Sequence, residues 1–202
     1  MTILHIDSSI LGDYSASRKI SAQTVERLKV LYPQSDVIYR DLAADPIPYL
    51  SSAHLTAQQG GSVPEATIEA DLATGNTCIE ELMAADVIVI GVPMYNFSIP
   101  AQLKSWIDRV VVAGKTFRYG ANGPEGLLPS GKKVFLISAR GGVYSAGHAA
   151  ALDHQEAYML AVLGFIGLQD VNCIRAEGLA LGDTEKEAAL VHAQEEIATL
   201  SV

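Results

Sequence analysis

The segment from Ala85 to Lys104 constrains the fold of this chain more than any other. Residues 85–90 form a largely apolar run, ADVIVI, that is rich in β-branched side chains. Such a run is typical of a parallel strand that is buried on both faces. A loop follows at residues 91–100, and after Pro100 the apolar residues recur at the spacing of a helix. A buried strand that leads through a loop into a helix predicts an α/β fold, in which ligands bind at the carboxyl ends of the strands.

The rest of the chain repeats this alternation of strand and helix. We predict four further strands, at residues 2–7, 35–40, 133–138 and 169–175. The first predicted helix follows a cap at Ser17. The others are predicted to begin at Glu65, near Pro100, at about Ala149, and at Asp183 or Thr184. Strands that alternate with helices along a whole chain predict a parallel sheet with helices on both faces.

Two segments interrupt the alternation. Residues 41–64 carry three prolines and a pair of glycines, and we expect an irregular loop that serves as a lid, a subunit contact or a plain surface connection. Residues 122–126 fit either a short hairpin or an open loop. We find no linker, so residues 1–202 are expected to form one domain. Five strands favour the flavodoxin-like three-layer fold with strand order 2-1-3-4-5, whose switch point lies between strands 1 and 3.

The composition argues against several classes of partner. The chain has 14 basic and 23 acidic residues, a net charge of −9, which disfavours binding to nucleic acid or to an anionic membrane. Cys78 and Cys173 lie far apart without metal-binding or redox spacing, so we expect free thiols and no metal site. There is no signal-peptide pattern and no apolar run of about 18 residues, and we therefore expect a cytoplasmic protein.

The loop after the first strand has the character of a phosphate site. Ser9, Ser15 and Ser17 cluster before a predicted helix, whose free N–H groups and dipole favour an anion. The loop contains neither the dinucleotide fingerprint G-x-G-x-x-G nor the G-K-[ST] of a P-loop. Ordinary capping of the helix by one serine is the alternative interpretation.

Two further loops are expected at the same edge of the sheet. Tyr95, Asn96 and Phe97 follow the third strand, where aromatic rings either cover the core or contact a ligand. Gly141 and Gly142 follow the fourth strand, where they either form a plain turn or let the backbone offer N–H groups to a flat ligand. Together the three loops suit a hydrogen-bonding heterocycle with a phosphate tail, such as FMN.

The chain resembles the FMN-dependent NADH azoreductases, a family also described as FMN-dependent NADH:quinone oxidoreductases. The resemblance covers nearly the whole chain and depends on the order and spacing of several motifs. The matching segments are Ser9 with Ser15–Ser17, Arg40–Ala43, Pro93–Phe97, Gly114–Tyr119, Asn122–Leu127, Arg140–Gly142 and Leu163–Gly167.

The resemblance implies a flavodoxin-like homodimer with one FMN per subunit at the dimer interface. It assigns phosphate binding to Ser9, Ser15, Ala16 and Ser17. It assigns the flavin ring to Met94, Tyr95, Asn96 and Phe97, with Ala139, Arg140, Gly141 and Gly142 around its pyrimidine edge. The family often has serine at the position of Ala139, and we expect that only the backbone contacts the flavin there.

The chemistry implied by the resemblance is a ping-pong transfer of hydride from NADH through FMN to a quinone or an azo compound. We expect the Asn96 N–H to bond flavin N5, and Gly141 and Gly142 to stabilise negative charge near N1 and O2. Phe117 or Tyr119 of the partner subunit would close the substrate slot. No side-chain acid or base is indicated, since FMN carries the redox chemistry.

Tyr144 and His148 follow the diglycine and are weak candidates for a polar or proton contact with the acceptor. Three alternatives stay open. One is a flavodoxin-type electron carrier, and another is a non-catalytic binding module of the same fold. The third is a hydrolase that uses Asp7-Ser8-Ser9 with His148, although the nucleophile-elbow motif G-x-S-x-G is absent.

Overall fold

The computed structural model describes residues 1–62 and 66–201 of the chain. Seven strands are found there: β1 (Thr2–Asp7), β2 (Asp36–Asp41), β3 (Val87–Pro93), β4 (Phe117–Gly120), β5 (Gly123–Gly126), β6 (Lys133–Ala139) and β7 (Asp170–Ala176). The α-helices are α1 (Ala16–Leu31), α2 (Ser52–Gln58), α3 (Ala66–Ala84), α4 (Ala101–Val110), α5 (Glu156–Phe165) and α6 (Asp183–Ala198). Short 3₁₀ turns lie at Gly12–Tyr14 and Ala150–Leu152.

The main sheet has five strands, all parallel, in the order β2-β1-β3-β6-β7. Counted along the chain this order is 2-1-3-6-7, so the predicted order 2-1-3-4-5 was wrong. The difference arises because residues 117–126 form an antiparallel hairpin of β4 and β5 outside the main sheet. The order reverses between β1 and β3, where a ligand site is expected in sheets of this type.

Strand β3 lies at the centre of the sheet and is buried along its whole length. Because side chains alternate between the two faces of a strand, Ile88, Ile90 and Val92 join one apolar cluster and Val87 and Val89 join another. Helices α3, α4 and α5 contribute to the first cluster, and α1 and α6 contribute to the second. The apolar run that predicts a doubly covered strand therefore has helices packed on both sides.

Helix α2 lies inside the segment predicted to be irregular. It is held by a capping interaction in which His54 Nδ1 lies 2.8 Å from Ser51 Oγ and accepts the Ser51 N–H at 3.1 Å. His54 Nε2 contacts a carboxylate oxygen of Asp71 in α3 at 3.3 Å. A partner 17 residues away, which local periodicity does not reveal, thus stabilises this short helix. Glu65, the predicted start of the next helix, lies outside the described residues.

Two helix starts differ from prediction. Ser15, and not Ser17, is the N-cap of α1, because its hydroxyl accepts the Arg18 N–H. The helix predicted from Ala149 begins at Glu156, since Asp153 Oδ1 accepts the N–H groups of residues 155 and 156 at 3.0 Å each. Helix α6 begins at Asp183, one of its two predicted starts, with Gly182 at the N-cap position. Among the helices of the described residues, none combines the length and apolarity that a membrane crossing requires.

Candidate functional site

Loops at the carboxyl ends of β1, β3 and β6 surround a cleft of about 250 Å³. The segment after β7 and the start of α6 complete its wall. The cleft lies at the reversal of strand order, where the sheet topology predicts a ligand site. It is lined by Ser9, Leu11, Tyr14, Ser15, Ala16, Ser17, Pro93, Met94, Tyr95, Ala139, Arg140, Gly141, Leu179, Ala180 and Lys186.

Three buried serines surround the N-terminus of α1. Ser15 Oγ and Ser17 Oγ lie 3.0 Å apart, and Ser15 Oγ accepts the Arg18 N–H at 3.3 Å. Within the described part of the chain, no acceptor is found for the N–H groups of Ala16 and Ser17. Free N–H groups, hydroxyls and the positive end of a 16-residue helix form a donor set that suits an anion such as phosphate.

Arg18 holds the loop after β1 and does not supply a free cation. Its guanidinium donates to the Ser9 carbonyl at 2.8 and 3.1 Å and pairs with both carboxylate oxygens of Asp41 at 2.6 and 2.7 Å. The hydrogen bond from Arg18 is the main reason that the pKa of Asp41 lies below its usual value. The sequence does not reveal this pair, because Arg18 and Asp41 lie on different elements and no local pattern connects them.

The loop after β3 makes a tight turn at residues 95–98. Tyr95 and Ser98 exchange backbone hydrogen bonds of 2.9 and 3.1 Å, and both central residues have positive φ, 48° at Asn96 and 71° at Phe97. Positive φ at both central positions is the signature of a type I′ turn, which glycine and asparagine favour. The turn exposes the side chains of Asn96 and Phe97, and the Asn96 N–H has no acceptor within the described residues.

Tyr95 connects the loop after β3 to the loop after β1. Its hydroxyl lies 3.2 Å from Ser9 Oγ and accepts the Ile10 N–H at 3.3 Å. The ring is therefore fixed against the serine loop, and its polar end is already in use. The sequence predicts that Tyr95 either covers the core or contacts a ligand, and the structure adds this link between two loops.

The diglycine loop is oriented by the segment after β7. The carbonyls of Arg140, Gly141 and Gly142 accept the N–H groups of Leu179, Ala180 and Gly178 at 3.1, 2.9 and 2.9 Å. Every peptide bond here is trans, so the N–H of each of these peptide units points away from the 178–180 segment. The N–H groups of Gly141 and Gly142 have no acceptor in the described residues.

Arg140 reaches the cleft through its backbone only, because its side chain is 0% exposed. The guanidinium donates to Ser138 and Gln155 at 2.8 Å each and contacts the carboxylates of Asp153, Glu156 and Glu177. Three carboxylates around one arginine leave it no uncompensated positive charge for a ligand. Ala139 also lines the cleft, and its carbonyl accepts the Met94 N–H at 2.8 Å.

Other residues predicted for the site lie around its edge or away from it. Tyr144 does not line the cleft, and its ring stands edge-on to Phe97 with 6.1 Å between centroids. His148 is exposed, and its side chain has no hydrogen bond within the described residues. Phe117 packs against Phe165 of the same chain and is only 9% exposed, so little of its surface is available to another subunit. Tyr119 is 77% exposed and stays a candidate.

Six cleft residues are not among the site residues predicted from the sequence: Leu11, Tyr14, Pro93, Leu179, Ala180 and Lys186. The rule that ligands bind at strand ends would have indicated Leu179 and Ala180, since both follow β7. Lys186 lies in the first turn of α6 and has no distinguishing pattern around it. It is the one charged side chain in the lining other than Arg140, and no ion pair is found for it among the described residues.

The arrangement required for a serine hydrolase is not formed among the described residues. Ser8 Oγ donates to the Gly91 carbonyl at 2.7 Å, and the Asp7 carboxylate accepts from Ser21 at 2.8 Å and from Tyr39 at 3.1 Å. Burial, followed by the neighbouring Asp7 carboxylate, raises the pKa of Tyr39 to about 12. Asp7 thus serves a buried polar cluster behind the cleft and does not contact His148.

Comparison with known proteins agrees with this architecture. A family model described as flavodoxin-like fold matches residues 1–200. An FMN-dependent NADH:quinone oxidoreductase of Sinorhizobium fredii (strain NBRC 101917 / NGR234) is 52% identical over 198 residues, covering 98% of this chain and 96% of the relative. A protein of the same name from Bradyrhizobium sp. (strain BTAi1 / ATCC BAA-1182) is 50% identical over 202 residues, with both chains covered completely.

Solved structures give the same result. An azoreductase from Bacillus anthracis str. Sterne superposes with a TM-score of 0.87 at 28% identity, covering 98% of this chain and 97% of that chain. An FMN-dependent NADH-azoreductase from Bacillus anthracis str. Ames Ancestor, solved in complex with FMN, has a TM-score of 0.85 at 25% identity and 98% coverage of both chains. The chain therefore belongs to the family of FMN-dependent NADH:quinone oxidoreductases and has the flavodoxin-like fold.

Proposed function

We propose that this protein binds FMN in the cleft and transfers two electrons, as hydride, from NADH to quinones and azo compounds in a ping-pong cycle, with reductive cleavage of azo bonds. The observation that carries the proposal is the combination, in one cleft, of a buried serine cradle with backbone N–H groups that have no acceptor in the described residues. Family membership supports the same cofactor and donor.

The donor set fits the phosphate of FMN. Ser9, Ser15, Ala16 and Ser17 would hold it, since they offer hydroxyls and N–H groups at a helix N-terminus. Side-chain cations are scarce here, because Arg18 is committed to Asp41. Hydrogen bonds and the helix dipole would therefore provide most of the attraction, and Lys186 would be the one additional positive charge.

The opposite side of the cleft fits the isoalloxazine ring. Met94 and Tyr95 line it, and the N–H groups of Asn96 and Phe97 in the exposed turn have no acceptor in the described residues. When bound, FMN supplies a ring that accepts and releases a hydride. The amides of Gly141 and Gly142 would donate hydrogen bonds where negative charge develops on reduction, and rigid, prealigned donors are the effective kind.

We propose a homodimer with the cleft at the interface. Large apolar side chains beside the cleft are exposed in the single chain, including Tyr14 at 91% and Leu11 at 54%. Exposed apolar clusters of this kind favour contact with another protein surface. Tyr119 of the partner subunit would then face the flavin. We further propose one FMN-binding domain over residues 1–202, and a cytoplasmic location in which the free thiols of Cys78 and Cys173 stay reduced.

The decisive experiment is an anaerobic titration of the purified protein with FMN and then NADH. We expect flavin bands that bleach rapidly without a stable semiquinone and return when a quinone is added. Slow reduction with an accumulating semiquinone would favour the flavodoxin-type electron carrier, and a protein that binds no FMN would refute the proposal.

Three further measurements complete the test. Cleavage of an azo dye, followed at its visible absorption band, tests the second class of acceptor, and NADPH in place of NADH tests the donor. Sedimentation analysis with and without FMN tests the dimer, for which a monomer at micromolar concentration would be the contrary result.

A further inference from the structure

The carboxylate of Glu177 connects both ends of the diglycine loop. Its Oε1 accepts the N–H groups of Tyr144 and Ser145 at 2.8 and 3.0 Å and contacts Arg140 Nη1 at 3.1 Å. Its Oε2 accepts the hydroxyl of Ser145. One side chain therefore holds the residue before Gly141 and the two residues that end the loop. Glu177 is not one of the residues that line the cleft, so it acts from behind the site.

The charge of Glu177 is maintained and locally compensated. Burial would raise the pKa of this carboxyl, but the hydrogen bonds from Ser145 and Tyr144 and the charge of Arg140 together lower it below its usual value. Glu177 is thus ionised at neutral pH. Arg140 also contacts Asp153 and Glu156, so it stays paired if Glu177 is replaced.

We propose that Glu177 is a positioning residue that holds the amides of Gly141 and Gly142 toward the pyrimidine edge of the flavin, an inference that rests on the proposed function. Residues 178–180 fix the direction of these amides by donating hydrogen bonds to the carbonyls of residues 140–142. Glu177 fixes the position of the end of the loop by accepting the N–H groups of Tyr144 and Ser145. Prealigned N–H donors stabilise the reduced, more negative flavin more than the oxidised one. By holding these donors in place, Glu177 raises the reduction potential of the bound flavin, although the negative charge of its own carboxylate would lower that potential.

These opposing signs make the proposal testable with two variants. Glu177→Ala removes both the acceptors and the charge, whereas Glu177→Gln removes the charge and keeps an oxygen that can accept the Tyr144 and Ser145 N–H groups. Positioning predicts a lower two-electron potential in Glu177→Ala and an unchanged or slightly higher one in Glu177→Gln. A charge effect alone predicts a rise in both variants, because an anion near the flavin has been removed.

The measurements are the dissociation constant of oxidised FMN, by quenching of flavin fluorescence, and the potential, by equilibration with reference dyes. We expect about tenfold weaker FMN binding in Glu177→Ala and less than about threefold weakening in Glu177→Gln. If the affinity for reduced FMN falls by a further factor of ten, the two-electron reduction potential of the bound flavin falls by about 30 mV. Hydrogen exchange at Tyr144 and Ser145 of the full chain should accelerate in Glu177→Ala only.

Ser145→Ala keeps the charge and removes one contact, so it tests the proposal even if Glu177→Ala does not fold. It should lower the potential by a smaller amount. The inference is overturned if Glu177→Ala and wild type share one potential and one FMN affinity, or if both Glu177 variants raise the potential. A wild-type protein that binds no FMN would instead overturn the proposed function itself.

Discussion

Ser17→Ala should separate cofactor binding from folding at the N-terminus of α1. Both Ser15 and Ser17 present buried hydroxyls, but only Ser15 also caps the helix by accepting the Arg18 N–H. Loss of an N-cap costs about 1 kcal/mol of folding stability. Ser17 has no such function, so its replacement should affect FMN binding much more than the free energy of unfolding.

The magnitude follows from the charge of the ligand. A hydrogen bond to a charged group contributes about 1.5–3 kcal/mol, and about 1.4 kcal/mol corresponds to a tenfold change in affinity. Ser17→Ala should therefore raise the dissociation constant of FMN by roughly 10- to 150-fold. Ser15→Ala should weaken FMN similarly and also lower the midpoint of urea denaturation. The double variant should retain its fold and lose most of its flavin during gel filtration.

The assay is a titration of FMN fluorescence with each variant, beside urea denaturation of the FMN-free protein. Ser21→Ala is the matched control, since its hydroxyl lies on the same helix but donates to Asp7 behind the cleft. We expect the control to lose stability and keep its FMN affinity. If Ser17→Ala binds FMN as tightly as wild type, the phosphate does not lie against this serine and the assignment of the cradle is refuted.

Three further predictions concern the cleft residues Tyr95 and Lys186 and the Arg18–Asp41 pair that holds the loop after β1. Tyr95→Phe removes the link to Ser9 and should weaken FMN binding several-fold with little loss of secondary structure. Equal FMN affinity in a fluorescence titration would show that this link does not support the cofactor site. Lys186→Gln should weaken FMN binding and make the affinity less sensitive to added NaCl, whereas an unchanged salt dependence would exclude Lys186 as a counter-charge. Arg18 lowers the pKa of Asp41 in the folded state. The pair therefore stabilises the protein fully at pH values above about 4, the pKa of Asp41 in the unfolded chain, and this stabilisation is lost as pH falls through the lower pKa of the folded state. Asp41→Asn should accordingly flatten the loss of stability between pH 5 and pH 3 in urea denaturation, and an unaltered pH profile would argue against the pair.

Much of the fold follows from local pattern. The apolar run at β3 marks a strand covered on both faces, and both faces are indeed buried against helices. The positions of β1, β2, β6 and β7 agree with prediction to within one or two residues. Period and burial are properties of neighbouring residues, and they can therefore be read before any long-range contact is known.

Other features depend on residues far apart in the chain. Helix α2 is stabilised by a contact between His54 and Asp71, and the hairpin of β4 and β5 changes the strand count without changing the sheet. Phe117 appears in the sequence as an aromatic residue near a glycine-rich loop. Only the tertiary structure shows that its ring packs against Phe165, 48 residues further along the chain.

The features of the candidate site also divide into those that local sequence predicts and those that contacts between distant residues decide. The sequence by itself determined which loops meet, because the carboxyl ends of parallel strands share one edge and the serines, the aromatic turn and the diglycine each follow a strand. Only the tertiary structure decided which atoms face the cleft. Arg140 turns its guanidinium into a cluster of three carboxylates, and Glu177 holds the loop from behind. The physical reason is that a side chain's direction depends on partners on other elements, which no local spacing records.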